Sequence, residues 1–140
     1  MKILLAVDGS PYTQRMLDYL AAHPELAGAD RSFSVLTVVS AVPPRVTGYI
    51  DKGSLQGYYD EQAEDVLKGV RSFAEKNGWK ASYLVKVGAA GDTIAAAAKE
   101  GQFDLLVMGS HGQSALGSLV MGSVTSRVLG NCSTPLLIVR

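Results

Sequence analysis

The chain has 140 residues, 47% of them hydrophobic and 19% charged, the balance of a packed globular fold rather than a disordered segment. Thirteen basic residues offset thirteen acidic ones with no Lys/Arg cluster, which argues against nucleic-acid binding and against attachment to a membrane surface. The length suits one domain over 1–140, and a single cysteine, Cys132, excludes an internal disulfide.

Cys132 lies between Asn131 and Ser133 with no basic neighbour to activate it, and reads as an inert thiol. Only five apolar residues separate Met1-Lys2 from Asp8, too few for a signal-peptide core, and no stretch reaches membrane-spanning length. The expected location is cytoplasmic.

Residues 3–7 form a continuous apolar run of strand length. Ser10-Pro11 then starts a helix, with Ser10 as N-cap and Pro11 at the first helical position. Met16, Leu17 and Leu20 share one face of this helix, which fades near His23-Pro24 and leaves His23 as a helix-end residue. A β-branched-rich run over 33–39 predicts the second strand. Segment 40–55, holding Pro43, Pro44, Gly48 and Gly53, reads as a loop longer than ordinary connections. Ala63, Val66, Leu67, Val70 and Phe73 recur at helical spacing and predict a helix over 58–76, closed by Asn77-Gly78.

The third strand falls within 79–87, and Asp92-Thr93 open a helix that runs through an alanine stretch to Lys99 and stops at Gly101. Residues 105–108 predict the fourth strand, 123–129 the core of the last helix and 136–139 the fifth strand. Strands separated by helices imply parallel pairing through right-handed crossovers, a doubly wound α/β fold with helices on both faces of one sheet.

The fourth strand empties into Gly109-Ser110-His111-Gly112, followed after nine residues by Gly122-Ser123 at the start of the last helix. Glycine lets backbone amides approach oxygen with no Cβ between them, and a helix N-terminus adds unpaired N–H groups and a partial positive charge. Together they predict a phosphate grip. Ligands of open parallel sheets bind beyond the carboxyl ends of the strands, so Asp8-Gly9-Ser10 belongs to the same edge. Asp8 suits contact with an adenine amine, ribose hydroxyls or a metal ion, and equally a turn cap with Gly9 and Ser10.

Ser123 suits an N-cap or a phosphate contact, and the two roles are compatible. Ser110 and Ser114 are further hydroxyl donors. His111 lacks a sequence neighbour that would orient it for catalysis and reads as a hydrogen-bonding loop residue. Tyr49, Tyr58 and Tyr59 suit either covering a ligand or packing on a partner subunit.

What the loop lacks narrows the chemistry. There is no Gly-x4-Gly-Lys-Ser/Thr, and Arg127, the nearest cation, lies a turn inside the helix. A triphosphate carries about four negative charges against about half a positive charge at a helix end, so ATP calls for a divalent ion such as Mg or Mn, while AMP is held more easily. No carboxylate pair, nucleophile–base pair or general base stands out. Hence no catalytic residue is assigned, and any turnover is at most weak ATPase activity. A phosphoacceptor domain is disfavoured, because Asp8 has no acidic partner beside it.

At these residues the chain resembles the universal stress protein family, in the subgroup that binds ATP through Gly-x2-Gly-x9-Gly-Ser/Thr. Gly109, Gly112, Gly122 and Ser123 match that motif. Segments 2–10, 88–94, 104–112, 122–125 and 135–139 extend the resemblance along nearly the whole chain. It implies a five-stranded parallel sheet in order 3-2-1-4-5 with a nucleotide, ATP or AMP, between strands one and four. By that resemblance Asp8 and the backbone around Val38 contact adenine or ribose. Gly109, Gly112, Gly122, Ser123 and Val124 hold ribose and phosphates, with Ser110 and His111 in the same loop.

Members of the family commonly dimerise through the last strand, here the apolar run 136–139, which otherwise is an unprotected edge. The loop after strand two varies among them, so nothing transfers to Tyr49. The function expected is a dimeric, adenine-nucleotide-binding sensor or regulator of the stress response, acting on a protein partner yet to be named. Two alternatives stand beside it. One is an ATP-dependent hydrolase or transferase of a related fold, although Asp8-Gly9-Ser10 is only a fragment of the pyrophosphate loop such enzymes carry. The other is a dimeric scaffold with a structural nucleotide.

Overall fold

The structure, a computed structural model, describes residues 1–112 and 121–140. Ser114, among the expected hydroxyl donors, lies outside them. Five parallel strands form one sheet in the order β3-β2-β1-β4-β5, as the resemblance implied. In chain order they are β1 (Ile3–Ala6), β2 (Ser32–Val39), β3 (Lys80–Val87), β4 (Leu105–Gly109) and β5 (Leu136–Val139). The helices are α1 (Pro11–Ala22), α2 (Pro44–Thr47), α3 (Lys52–Lys76), α4 (Ala90–Glu100) and α5 (Ser123–Asn131). Among the described residues no helix is long and apolar enough to cross a membrane.

The unbroken apolar run of β1 follows from its central place. Ile3 and Leu5 point to one face, and with Val7 just beyond the strand they join Met16, Leu17 and Leu20 of α1 and Leu67, Val70 and Ala74 of α3. Leu4 and Ala6 point to the other face and meet Ile94, Ala97 and Ala98 of α4 and Val128 of α5. A strand covered on both sides has no position where a polar side chain is tolerated. Register follows directly: Leu4 lies beside Ser34 of β2 and Leu106 of β4.

The helix after β2 departs from expectation. It begins at Lys52, well before residue 58, because Asp51 caps it: the Asp51 carboxylate accepts from the Ser54 N–H at 2.8 Å and from its hydroxyl at 2.9 Å. The segment expected to be one long loop also contains the single-turn α2. Tyr59 ties the two together. Its hydroxyl accepts from the Val42 N–H at 2.9 Å, and its ring packs with Val39 and Ala63 in a third apolar cluster. At the other end α3 stops as predicted, with Gly78 at φ +67° after Asn77.

Two helix starts also differ. Ser10 stands at the N-cap of α1, but its side chain makes no capping bond. For α4 the cap position is Ala89, three residues before Asp92, which lies within the first turn. The α1 boundary stands where it was expected, and the earlier start of α4 leaves the order of elements intact.

Candidate functional site

A cavity of about 620 Å³ opens at the carboxyl ends of β1, β2 and β4. Asp8 and Thr13 form its floor beyond β1. Val38, Val39 and Ser40 come from the end of β2, and Tyr58, Gln62 and Val66 from α3. Gly109, His111 and Gly112 follow β4, and Gly122, Ser123, Val124 and Thr125 open α5. The two stretches singled out in the sequence, around Asp8 and around Gly109, therefore share one chamber, where β1 sends its chain to one face and β4 to the other.

Asp8 is held by its own turn. Its Oδ1 accepts from the Ser10 N–H at 2.9 Å and from the Thr13 hydroxyl at 3.0 Å, and its N–H donates to Thr13 Oγ1 at 3.1 Å. Gly9, at φ +77°, supplies the reversal between strand and helix that an L side chain resists. The turn-cap reading of Asp8 thus holds, and the same turn presents the half-buried carboxylate to the cavity. Thr13, which the sequence reading passed over, fixes that orientation. Its signal is a threonine one helical turn after the Ser-Pro start.

The motif glycines are needed for closeness rather than handedness, since neither Gly109, Gly112 nor Gly122 has a left-handed φ. A Cβ on Gly109 would lie 2.7 Å from Tyr12 Cβ and 3.2 Å from the Tyr12 carbonyl oxygen, so the end of β4 touches α1 directly. One on Gly112 would lie 2.8 Å from Asp8 Oδ2, and one on Gly122 would lie 3.1 Å from His111 Cα. The glycines pull the loop against the Asp8 turn and against itself. The Gly122 N–H is spent on the Ser110 carbonyl at 2.7 Å, and the Ser110 N–H on Val139 at 2.8 Å.

Further donors sit at the start of α5, where the described residues give the first amides no partner. Gly122 occupies the cap position with φ −72° and ψ 164°, and among the described residues no side chain caps the helix. Ser123 is therefore the first helical residue and not the cap. The first amides of an α-helix have no partner within it, and here Ser123 and Val124 bring them to the cavity wall. Thr125 anchors this end, its buried hydroxyl donating to the Gly109 carbonyl at 3.0 Å. Sequence alone did not single it out.

Ser110 and His111 divide. The Ser110 hydroxyl lies 2.9 Å from His111 Nδ1, but Ser110 is only 2% exposed and stays behind the cavity wall. The pair locks the loop and presents no accessible nucleophile. His111 faces the cavity with its ring 5.0 Å from that of Tyr12, in keeping with a hydrogen-bonding loop residue. Arg127 is turned aside: its Nε donates to Asp92 of α4 at 2.8 Å, a bond that raises the guanidinium pKa. Val38 lines the cavity and Tyr58 stands at its mouth, while Tyr49 is 93% exposed and away from it. Among the described residues no group of three His, Cys, Asp or Glu is arranged to hold a metal ion.

The family model described as the universal stress protein family matches residues 1–140. A universal stress protein of Synechocystis is 34% identical over 139 residues, covering 99% of this chain but 42% of that protein. One from Thermus aquaticus is 33% identical over 147 residues, covering 99% of this chain and 97% of the relative. The chain thus spans less than half of the first relative and nearly all of the second.

Among solved structures, that of a Methanocaldococcus jannaschii universal stress protein superposes with a TM-score of 0.82 at 25% identity, covering 99% of this chain and 94% of the other. An Archaeoglobus fulgidus universal stress protein in complex with dAMP gives 0.67 at 22% identity, covering 100% and 98%. An Arabidopsis thaliana member with AMP bound gives 0.70 at 16% identity, covering 99% and 90%. With the same sheet order, the glycine loop in place and a match along its whole length, the chain belongs to the universal stress protein family.

Proposed function

We propose that the chain binds an adenine nucleotide in this cavity and acts as a dimeric sensor or regulator in the stress response, with little or no hydrolysis. One observation carries the reading: the first amides of α5, uncapped by any described side chain, the glycines after β4 and the Asp8 carboxylate converge on one chamber. An anion is favoured at the helix N-terminus, and sugar hydroxyls or an amine at the carboxylate. AMP and dAMP bound by relatives of the same fold support the choice of adenine nucleotide.

Gly109, Gly112, Gly122, Ser123 and Val124 hold phosphate and ribose, with His111 beside them, while Asp8 and the Val38 backbone meet ribose or adenine. Ser110 contributes through the loop. Among the described residues no lysine or arginine lines this wall, so a triphosphate enters with Mg²⁺ or Mn²⁺ bound to its own phosphates. The open edge of β5 serves as the dimer contact, and the setting is cytoplasmic.

Equilibrium titration of AMP, ADP and ATP, with and without Mg²⁺, into the wild type and Gly122→Val tests the reading. A valine side chain meets His111 and forces the loop away from the helix start, so we expect at least a tenfold weaker affinity with the fold retained by circular dichroism. Equal affinities, or none in either protein, sink it. A steady turnover of many ATP per site that is lost on changing His111 or Asp8 supports the enzyme alternative instead.

A further inference from the structure

The cavity has two unlike walls. The α5 wall offers amides and glycine. The facing wall, at the end of β2, is closed by α3, where Tyr58 and Gln62 lie four residues apart on one helical face and both line the cavity. β2 and β4 flank β1, so the walls stand two strand spacings apart, about 10 Å. A nucleoside monophosphate with its phosphate on α5 and its sugar over Asp8 therefore carries its base to the α3 wall.

The chemistry there fits a base. Tyr58 is 47% exposed, and among the described residues its one ring–ring pair is with Tyr59, centroids 5.8 Å apart, leaving an aromatic face at the mouth. The Gln62 amide makes no hydrogen bond with any described residue. It carries an acceptor and a donor side by side, the complement of adenine's 6-amino group and the ring nitrogen next to it. The early start of α3 puts Tyr58 near the middle of the helix's first half, on a rigid turn rather than in a loop.

Resting on the nucleotide-binding reading, we propose that Gln62 selects adenine by its 6-amino group and that Tyr58 stacks on the purine ring, making Gln62 the determinant of base specificity and Tyr58 a contributor to affinity. The test compares AMP with purine riboside 5′-monophosphate, which is AMP without the 6-amino group, by isothermal titration into the wild type, Gln62→Leu, Tyr58→Ala and Tyr58→Phe.

The wild type prefers AMP by about tenfold, and Gln62→Leu erases that preference. Tyr58→Ala weakens both ligands about tenfold and keeps their ratio, whereas Tyr58→Phe binds as the wild type does. An unchanged ratio in Gln62→Leu, or full affinity in Tyr58→Ala, overturns the assignment and leaves nucleotide binding standing. A wild type that binds neither ligand overturns both. Both side chains are exposed, so melting temperatures close to the wild type confirm that a loss reports on binding.

Discussion

Ser10 shows how a residue can occupy the expected position for an unexpected reason. A serine before Pro11 is a strong N-cap signal, and replacing such a cap ordinarily costs about 1 kcal/mol. Here the Ser10 Oγ is buried with no hydrogen-bond partner among the described residues, and the residue's contribution is its N–H, donated to Asp8. Ser10→Ala is therefore expected to leave stability unchanged or raise it by up to about 1 kcal/mol, since an unsatisfied buried hydroxyl is removed. Thermal and urea melts check this, and a loss of more than about 1 kcal/mol would show a working cap. Gly109→Ala runs the other way. Its new methyl group meets the Tyr12 Cβ and backbone, so overpacking costs about 1–3 kcal/mol and the melting temperature falls. The glycine spacing was legible in the chain. That Gly109 is held by contact with α1 was not, because Tyr12 and Gly109 meet only when β1 and β4 pair.

At the scale of elements, α3 is the instructive case. Lys52 to Gly57 includes two glycines, and weak helix propensity there pointed to a loop. A cap at Asp51 and the seating of Tyr59 and Ala63 on β2 override that preference. The hydrogen bonds from the Ser54 N–H and hydroxyl hold the Asp51 carboxyl below its ordinary pKa. A lowered folded-state pKa means that the cap contributes fully above the ordinary carboxylate range and is lost as pH falls through the folded value. The first turn of α3 should then fray in acid, read as loss of helical Cα chemical shifts over residues 52–55. Asp51→Ala should show the same fraying at neutral pH, and persistence of helical shifts in that variant contradicts the cap. On the opposite face α4 and α5 touch at Gly91, where a Cβ would lie 2.7 Å from Arg127 Cβ. Gly91→Val should push α5 outward, costing about 1–3 kcal/mol and weakening nucleotide affinity although residue 91 is not in the cavity wall. Full affinity in a folded Gly91→Val protein argues against the placement of α5 as the source of the anion site.

Considered whole, the sheet ends at β5, whose outer backbone groups pair with no described strand. Pro135 and Val139 turn their carbonyls to β4, so by alternation Leu136 and Ile138 turn theirs outward. Such an edge pairs readily with another copy unless it is blocked. Ile138→Pro removes one outward N–H and spares the ladder to β4, and is expected to shift a dimer to monomer in analytical ultracentrifugation while far-UV circular dichroism stays unchanged. A variant that remains dimeric moves the contact elsewhere.

The amino-acid sequence by itself determined the alternation of strands and helices, the burial of β1, and the pairing of a glycine loop with a helix start. Each of these is written in local periodicity and in residues whose conformational or steric character acts on near neighbours. Which wall of the cavity each group reaches was decided by the tertiary structure. So were the burial of Ser110 behind the loop, the diversion of Arg127 to Asp92 and the arrival of Tyr58 and Gln62 opposite α5. Except for the place of Ser110 in its loop, these contacts join residues distant in the chain, and all depend on how the elements pack around the sheet. Distances set by that packing leave no trace in the spacing of any one segment.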